Sequence, residues 1–300
     1  MFSNNLQIFI NKLKHSIKTR NLVDNIMILN NRYGNEYLKL AEQILSIMEV
    51  MNLDSYNITK KYIIDYIKQA SSFLREGNYG HKSFNEIKKT IYDNEDVMMQ
   101  IYMPGLLTAY ISMLNLYTKY DFFMKKFLPM INDNSIGIDV GFGEGFYLWK
   151  ILENTKNVRC NGMDISPYAI EFTTNLLTCT KIKSNRYNLY LGDINKKINC
   201  QEKSQDFVVL AEIIEHLEKP ERAIMEISPM LKRGGILFLS TVINNNHMDH
   251  ISNFESPDVI EEMLVRNGFN ILESCIHSVQ DDFPNSLDKA VGLAYVCRLG

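Results

Sequence analysis

Asp139-Val140-Gly141-Phe142-Gly143-Glu144-Gly145 decides the fold of this chain. The apolar run Ile136 to Val140 before it suits a buried strand. Phe146 to Leu152 after it suits a helix. Strand, glycine loop and helix together let backbone pass close to a bound nucleoside. Three glycines at alternate positions remove three Cβ atoms where side chains would block that approach. The helix start then offers unpaired N–H groups and a positive dipole end.

The dinucleotide-binding fingerprint needs GxGxxG. From Gly141 the pattern is G-F-G-E-G-F, so Phe146 stands where the last glycine should be, which disfavours a nicotinamide oxidoreductase. With Asp139 before the first glycine, the stretch resembles motif I of class I S-adenosylmethionine-dependent methyltransferases, in the style of small-molecule enzymes of natural-product or ubiquinone biosynthesis. The resemblance covers about residues 121–300 and implies an α/β fold: a mostly parallel seven-stranded sheet, doubly wound by helices. A second strand from Val158 closes on Asp164, and Pro167 opens a helix. A third, Tyr187 to Asp193, ends in Gly192-Asp193-Ile194. Asp206 to Leu210 is a fourth. Gly234-Gly235 ends a helix and leads into a fifth, and Phe269 to Ile276 with Ala290 to Arg298 supply an antiparallel pair.

The resemblance assigns residues as well. The loop of Gly141, Gly143 and Gly145 accommodates the amino-acid tail of S-adenosylmethionine. Asp164 grips the ribose hydroxyls, which a carboxylate does well because it accepts two hydrogen bonds at once. Asp193 and Ile194 meet the adenine, and Asp139, Ile165 and Glu212 complete the expected cofactor contacts. The alternative to each is an ordinary turn residue.

Glu212-Ile213-Ile214-Glu215-His216 follows the fourth strand, where ligands of such sheets sit. On a helix, Glu212, Glu215 and His216 would share one face. Three readings stand open: a family loop in which Glu215 and His216 fix the substrate edge; His216 as general base, since imidazole titrates near neutrality; and a divalent metal held by Glu212, Glu215 and His216. The last resembles the metal segment of small-RNA 2′-O-methyltransferases and of ubiquinone-pathway (catechol-type) O-methyltransferases. His247 and His250, in the loop after the fifth strand, are second candidates for substrate contact, catalysis or a further ligand.

Residues 1–120 read as a helical lid and substrate-binding region ahead of the domain of residues 121–300. Leu6 to Lys18, Glu36 to Met51, Thr59 to Glu76, Ser83 to Tyr92 and Glu95 to Phe127 carry apolar residues at helical spacing, with a turn at Gly77-Asn78-Tyr79-Gly80 and a break at Pro104-Gly105. Tyr102 and Tyr110, in an aromatic-rich stretch, are the candidate substrate wall, against the plainer reading of core packing.

Composition narrows the class. Hydrophobic residues make up 46% and charged ones 22%, the balance of a soluble globular protein. The five cysteines lack CxxC spacing, so reduced thiols and a cytoplasmic location are expected. No signal peptide is expected from the first residues. Ile101 to Tyr117 is too short and interrupted for a membrane span. Residues 1–130 carry 16 basic and 12 acidic side chains, and residues 131–300 carry 16 and 23. Neither half holds the dense basic track of a nucleic-acid binder. The expected partner is a small-molecule acceptor, with the N-terminal helices as a candidate homodimer surface. The competing class is a non-catalytic S-adenosylmethionine-binding regulatory protein.

Overall fold

β1, Ile136–Val140, lies inside the sheet and pairs in parallel with β2, Arg159–Asp164, on one side and with β4, Gln205–Ala211, on the other. The computed structural model describes residues 2–76, 83–196, 198, 201–245, 247, 249–283 and 289–300. The turn expected at Gly77–Gly80 lies outside them, as do Asn246, Met248 and Cys200. With β3 (Leu189–Leu191), β5 (Leu231–Ile243), β6 (Phe269–Ser278) and β7 (Val291–Leu299), the sheet has the order β3-β2-β1-β4-β5-β7-β6. Only β7 runs antiparallel to its neighbours. The order reverses direction beside β1, between the motif loop and the end of β4, which is where sheets of this kind open a ligand crevice.

Alternation along the strands builds two cores. Phe207 and Val209 of β4 face the front of the chain, while Val208 and Leu210 face the other way. The first core joins Phe207, Phe238 and Val296 to Phe123, Phe127 and Trp149 and continues into the N-terminal helices. The second packs Leu237 and Leu239 on Ile224 and Ile227 of one helix and Ile260 and Leu264 of another. The front region and the sheet therefore share one hydrophobic core.

That front region consists of α1 (Asn4–Lys14), α2 (Asn21–Val50), α3 (Ser55–Glu76), α4 (Phe84–Ile87), α5 (Glu95–Val97), α6 (Met103–Ser112) and α7 (Leu114–Phe122). Gly34 (φ 55°, ψ −126°) kinks α2, and the predicted helix from Glu36 is its second part. The break expected at Pro104-Gly105 lies elsewhere. Pro104 sits in the first turn of α6, where its missing N–H costs nothing, and a π-helical turn over Met98–Tyr102 precedes it. The chain bends instead by 81° at Met113, whose backbone is extended. Gly234 and Gly235 likewise do not end a helix: they form an irregular step inside β5, across from Gln205 and Phe207. No single helix among the described residues is long and apolar enough to cross a membrane. The described cysteines are free thiols.

After the sheet begins come α8 (Phe146–Asn154), α9 (Pro167–Cys179), α10 (Pro220–Ile227), α11 (Pro257–Arg266) and α12 (Val279–Asp282).

Candidate active site at the carboxyl edge of the sheet

The loop after β1 is shaped by positive backbone angles. Gly141 (φ 70°) must be glycine twice over, because a Cβ there would come within 2.2 Å of the Ile213 side chain. Gly143 (φ 53°) faces open space at the cavity wall. Gly145 serves a different purpose: it caps α8 and abuts Thr173, behind the cavity rather than in its lining. Thr173 Oγ1 in turn donates to the Gly143 carbonyl at 3.0 Å.

Asp164, at the end of β2, accepts from Gly143 N on one oxygen and from Ser166 N on the other, both at 2.9 Å. Ile165 adds a third backbone contact, and a carboxylate offers about four lone-pair sites, so a site remains for a ligand. Burial pushes its pKa up against these backbone contacts. Asp193 fixes its own turn by accepting from Asn195 N at 2.9 Å. Asp139, Ile165, Ile194 and Glu212 line the same space. The adjoining Glu144 also faces it, and burial above all pushes this carboxyl up to about 8. Among the described residues this is a cavity of about 460 Å³, within the roughly 300–1,000 Å³ of small-molecule sites. The donor set suits an adenosyl sulfonium compound: open backbone at Gly143, a spare carboxylate site on Asp164, apolar flanks at Ile165 and Ile194, and negative charge for a cation.

Glu212, Glu215 and His216 do not share a helical face. Glu212 adopts a left-handed backbone (φ 55°), and only Ile214–His216 form a short 3₁₀ turn. Glu212 accepts from Lys119 Nζ at 2.6 Å and from Ser240 Oγ at 2.7 Å. Glu215 turns into the protein and accepts from Thr241 Oγ1 at 2.7 Å, leaving its other carboxylate oxygen buried without a partner. Burial raises its pKa to about 7.

The loop after β5 is stitched to this turn. Ile251 N and Ser252 N both donate to the Glu215 carbonyl at 2.9 Å. That brings Asp249, fully buried, beside His216. His216 Nδ1 lies 3.1 Å from the Asp249 carbonyl and 3.4 Å from its carboxylate. Both are acceptors, which assigns the proton to Nδ1 and leaves Nε2 as the basic nitrogen. His247 Nδ1 meets the other Asp249 oxygen at 2.7 Å. Tyr92 Oη donates to Asp249 at 2.9 Å, and Tyr102 donates to the same oxygen. Burial alone would raise the Asp249 carboxyl, but His216, His247 and His250 hold it well below the usual carboxylate range. Burial would lower His216, yet Asp249 and Glu215 outweigh it and its pKa is raised. His250 donates to the Asn245 carbonyl, and burial followed by His216 lowers its pKa to about 3, so it is neutral at physiological pH.

Of the residues expected from sequence, the structure thus gathers Asp139, Gly141, Gly143, Asp164, Ile165, Asp193, Ile194, Glu212, Glu215, His216, His247, His250, Tyr102 and Tyr110 around one cavity. Tyr110 is buried and stacks on Phe146 at 3.6 Å. Sequence reasoning missed Lys119, Asp249 and the inward turn of Glu144. Asp249 had a faint signal, an acid flanked by two histidines; Lys119 had none.

Known proteins agree with this geometry. The family profile described as a methyltransferase domain matches residues 138–239. No curated protein matches the chain. Among solved structures, the [4+2]-cyclase SpnF is similar at 16% identity over 62% of this chain and 80% of its own, with a TM-score of 0.51. The YcgJ protein from Bacillus subtilis is similar at 10% identity over 61% and 98%, with a TM-score of 0.50. A methyltransferase from Mesorhizobium loti, S-adenosylmethionine dependent, shares 14% identity over 57% and 94%, with a TM-score of 0.46. For SpnF and YcgJ, identities this low speak to the fold alone, and SpnF is named for a different reaction, so the fold does not fix the chemistry. Residues 138–239, about a third of the chain, thus match a methyltransferase domain, and the strand order and the glycine loop facing Asp164 fit the fold of such domains.

Proposed function

We propose that the protein transfers the methyl group of S-adenosylmethionine to an oxygen or nitrogen of a small molecule held under the helical region of residues 1–120, with His216 as proton acceptor. The observation that carries this reading is the Asp249–His216 pair, whose histidine lines the same cavity as Asp164 and Gly143. The donor, when bound, supplies an electrophilic carbon on positively charged sulfur. The residues of the chain align, exclude water and move one proton. Asp164 takes the ribose hydroxyls, with Asp193 and Ile194 at the base. The acceptor lone pair forms the new bond to carbon as the carbon–sulfur bond breaks onto sulfur. The acceptor proton passes to His216 Nε2, and Asp249 steadies the imidazolium from the other side. His250, with a pKa near 3, holds a proton too weakly for that duty and serves the acceptor as a neutral contact.

Titration calorimetry with S-adenosylmethionine tests the donor half. Asp164→Ala should weaken binding at least tenfold; equal affinity would remove Asp164 from its role. His216→Gln should keep donor affinity and lose about 10²–10⁴-fold in turnover. Unchanged turnover would remove the base.

A second reading has its own support. Glu215, His216 and His250 place ligand atoms within 4.8 Å of one another, and one oxygen of Glu215 is buried without a hydrogen-bond partner. Two imidazoles and a carboxylate suit a transition ion. Glu212, tied to Lys119 and Ser240, fits that set poorly. An ion there would act as a Lewis acid on a hydroxyl acceptor. Metal analysis of the purified protein, and of Glu215→Gln, tests it: one ion per chain that the substitution abolishes would establish the site.

A further inference from the structure

The two walls of the cavity differ in chemistry. The sheet side carries Asp139, Glu144, Asp164, Asp193, Glu212 and Glu215. The helical side, among the described residues, carries no carboxylate. It offers the rings of Tyr62, Tyr66, Phe84, Tyr92 and Tyr102, with Met98, Met103 and Met113 between them. His247 joins these rings, its centroid 5.5 Å from that of Tyr62 and 5.9 Å from that of Tyr102. Lys18, exposed, is the lone lysine or arginine in the described lining, and Lys119 behind the wall ends on Glu212.

This division bears on charge. The acidic wall draws a cationic donor, since fields are strong where water is scarce. A carboxylated acceptor in the same cavity would meet like charge on the sheet side. An ammonium acceptor would lie beside the positive sulfur of the donor. A neutral ring meets neither repulsion and finds several ring faces for stacked or edge contacts. Methionine side chains adapt to its outline and make sulfur–aromatic contacts.

We propose that the acceptor is an uncharged aromatic hydroxy compound, seated among Tyr62, Tyr66 and Tyr102 with its hydroxyl toward His216. The proposal rests on the methyltransferase reading above and specifies the acceptor for that site. A hydroxyl suits the site because it needs a nearby base to shed its proton.

The test uses the full chain saturated with sinefungin, an unreactive cationic analogue of the donor, and three naphthalenes matched in ring size: 2-naphthol, 6-hydroxy-2-naphthoate and 2-naphthylmethylammonium. Calorimetry should show 2-naphthol bound at least tenfold more tightly than either charged compound. Tyr66→Ala, at a half-buried position, should weaken 2-naphthol at least fivefold while sinefungin binding stays within twofold, which also reports that the variant is folded. Equal or tighter binding of the carboxylate or the ammonium overturns the proposal. So does no binding of any naphthalene, or an unchanged 2-naphthol affinity in Tyr66→Ala. Were sinefungin itself not to bind, the donor assignment would fall, and the acceptor assignment with it.

Discussion

The proposed donor half and the proposed acceptor half of the cavity are built by different means. The donor half is made of residues close in sequence: Gly141, Gly143, Glu144, Asp164 and Asp193 all follow strand ends within the first half of the sheet. The acceptor half is held by side chains far apart: Tyr92 and Tyr102 reach Asp249 across 157 and 147 residues. A local site is encoded in backbone requirements that only certain residues meet. A long-range site is encoded in complementary burial, which leaves no mark until the chain folds.

Removing Asp249 should break the acceptor half most severely. Asp249→Ala leaves Tyr92, Tyr102, His247 and His216 without their shared partner in a dry interior. Breaking a buried charged cluster from one side costs about 3–5 kcal/mol. The expected result in chemical denaturation is a loss of that size, with turnover abolished and donor affinity within a few-fold of wild type. Donor affinity falling in step with turnover would show that the halves are one unit, contrary to the comparison.

Gly141→Val is the matching blow to the donor half. A valine there adopts a left-handed backbone and collides with Ile213, for roughly 2–5 kcal/mol of strain and overpacking. Donor binding should vanish. Pairing Gly141→Ala with Ile213→Ala should relieve the collision but not the backbone strain, so binding recovers in part. Full recovery would mean the positive φ carries no cost.

The same division explains what could be read from the sequence. The strands were legible because runs such as Phe207-Val208-Val209-Leu210 are apolar on both faces, and the ends of β1 and β2 because glycine and aspartate mark them. The bend at Met113 was not legible: Pro104-Gly105 looks like the breaker, yet proline is harmless in a first helical turn, whereas nothing local marks Met113. The spacing of Glu212, Glu215 and His216 suggested one face of a helix. Lys119 and Ser240 hold Glu212 away from it, and neither is near in sequence. Tyr102 could be read from the sequence as a candidate wall residue, and it lines the cavity, while the carboxylate that holds it could not be read.

Glu144 probes the electrostatics of the donor half with the smallest effect. It lies between Gly143 and Gly145, 8% exposed, and its carboxyl is pushed up to about 8, first by burial and then by Glu212 and Asp164, against its own backbone N–H. A carboxyl raised on folding contributes stability that is fully present below its unfolded pKa, near 4.5, and is lost as pH rises through about 8. One such group changes unfolding free energy by no more than about 1.4 kcal/mol per pH unit crossed. Glu144→Gln stays neutral throughout, so its melting temperature should fall less than that of wild type between pH 5 and pH 9. A cationic donor beside Glu144 favours the ionised carboxyl, so saturating S-adenosylmethionine should flatten the wild-type slope toward that of the variant and release protons near pH 7. Calorimetry in buffers of different ionisation enthalpy reads that release directly. Parallel slopes in the two proteins, or donor binding with no proton release in wild type, would mean that Glu144 is already ionised and that the acidic wall is wetter than its burial implies.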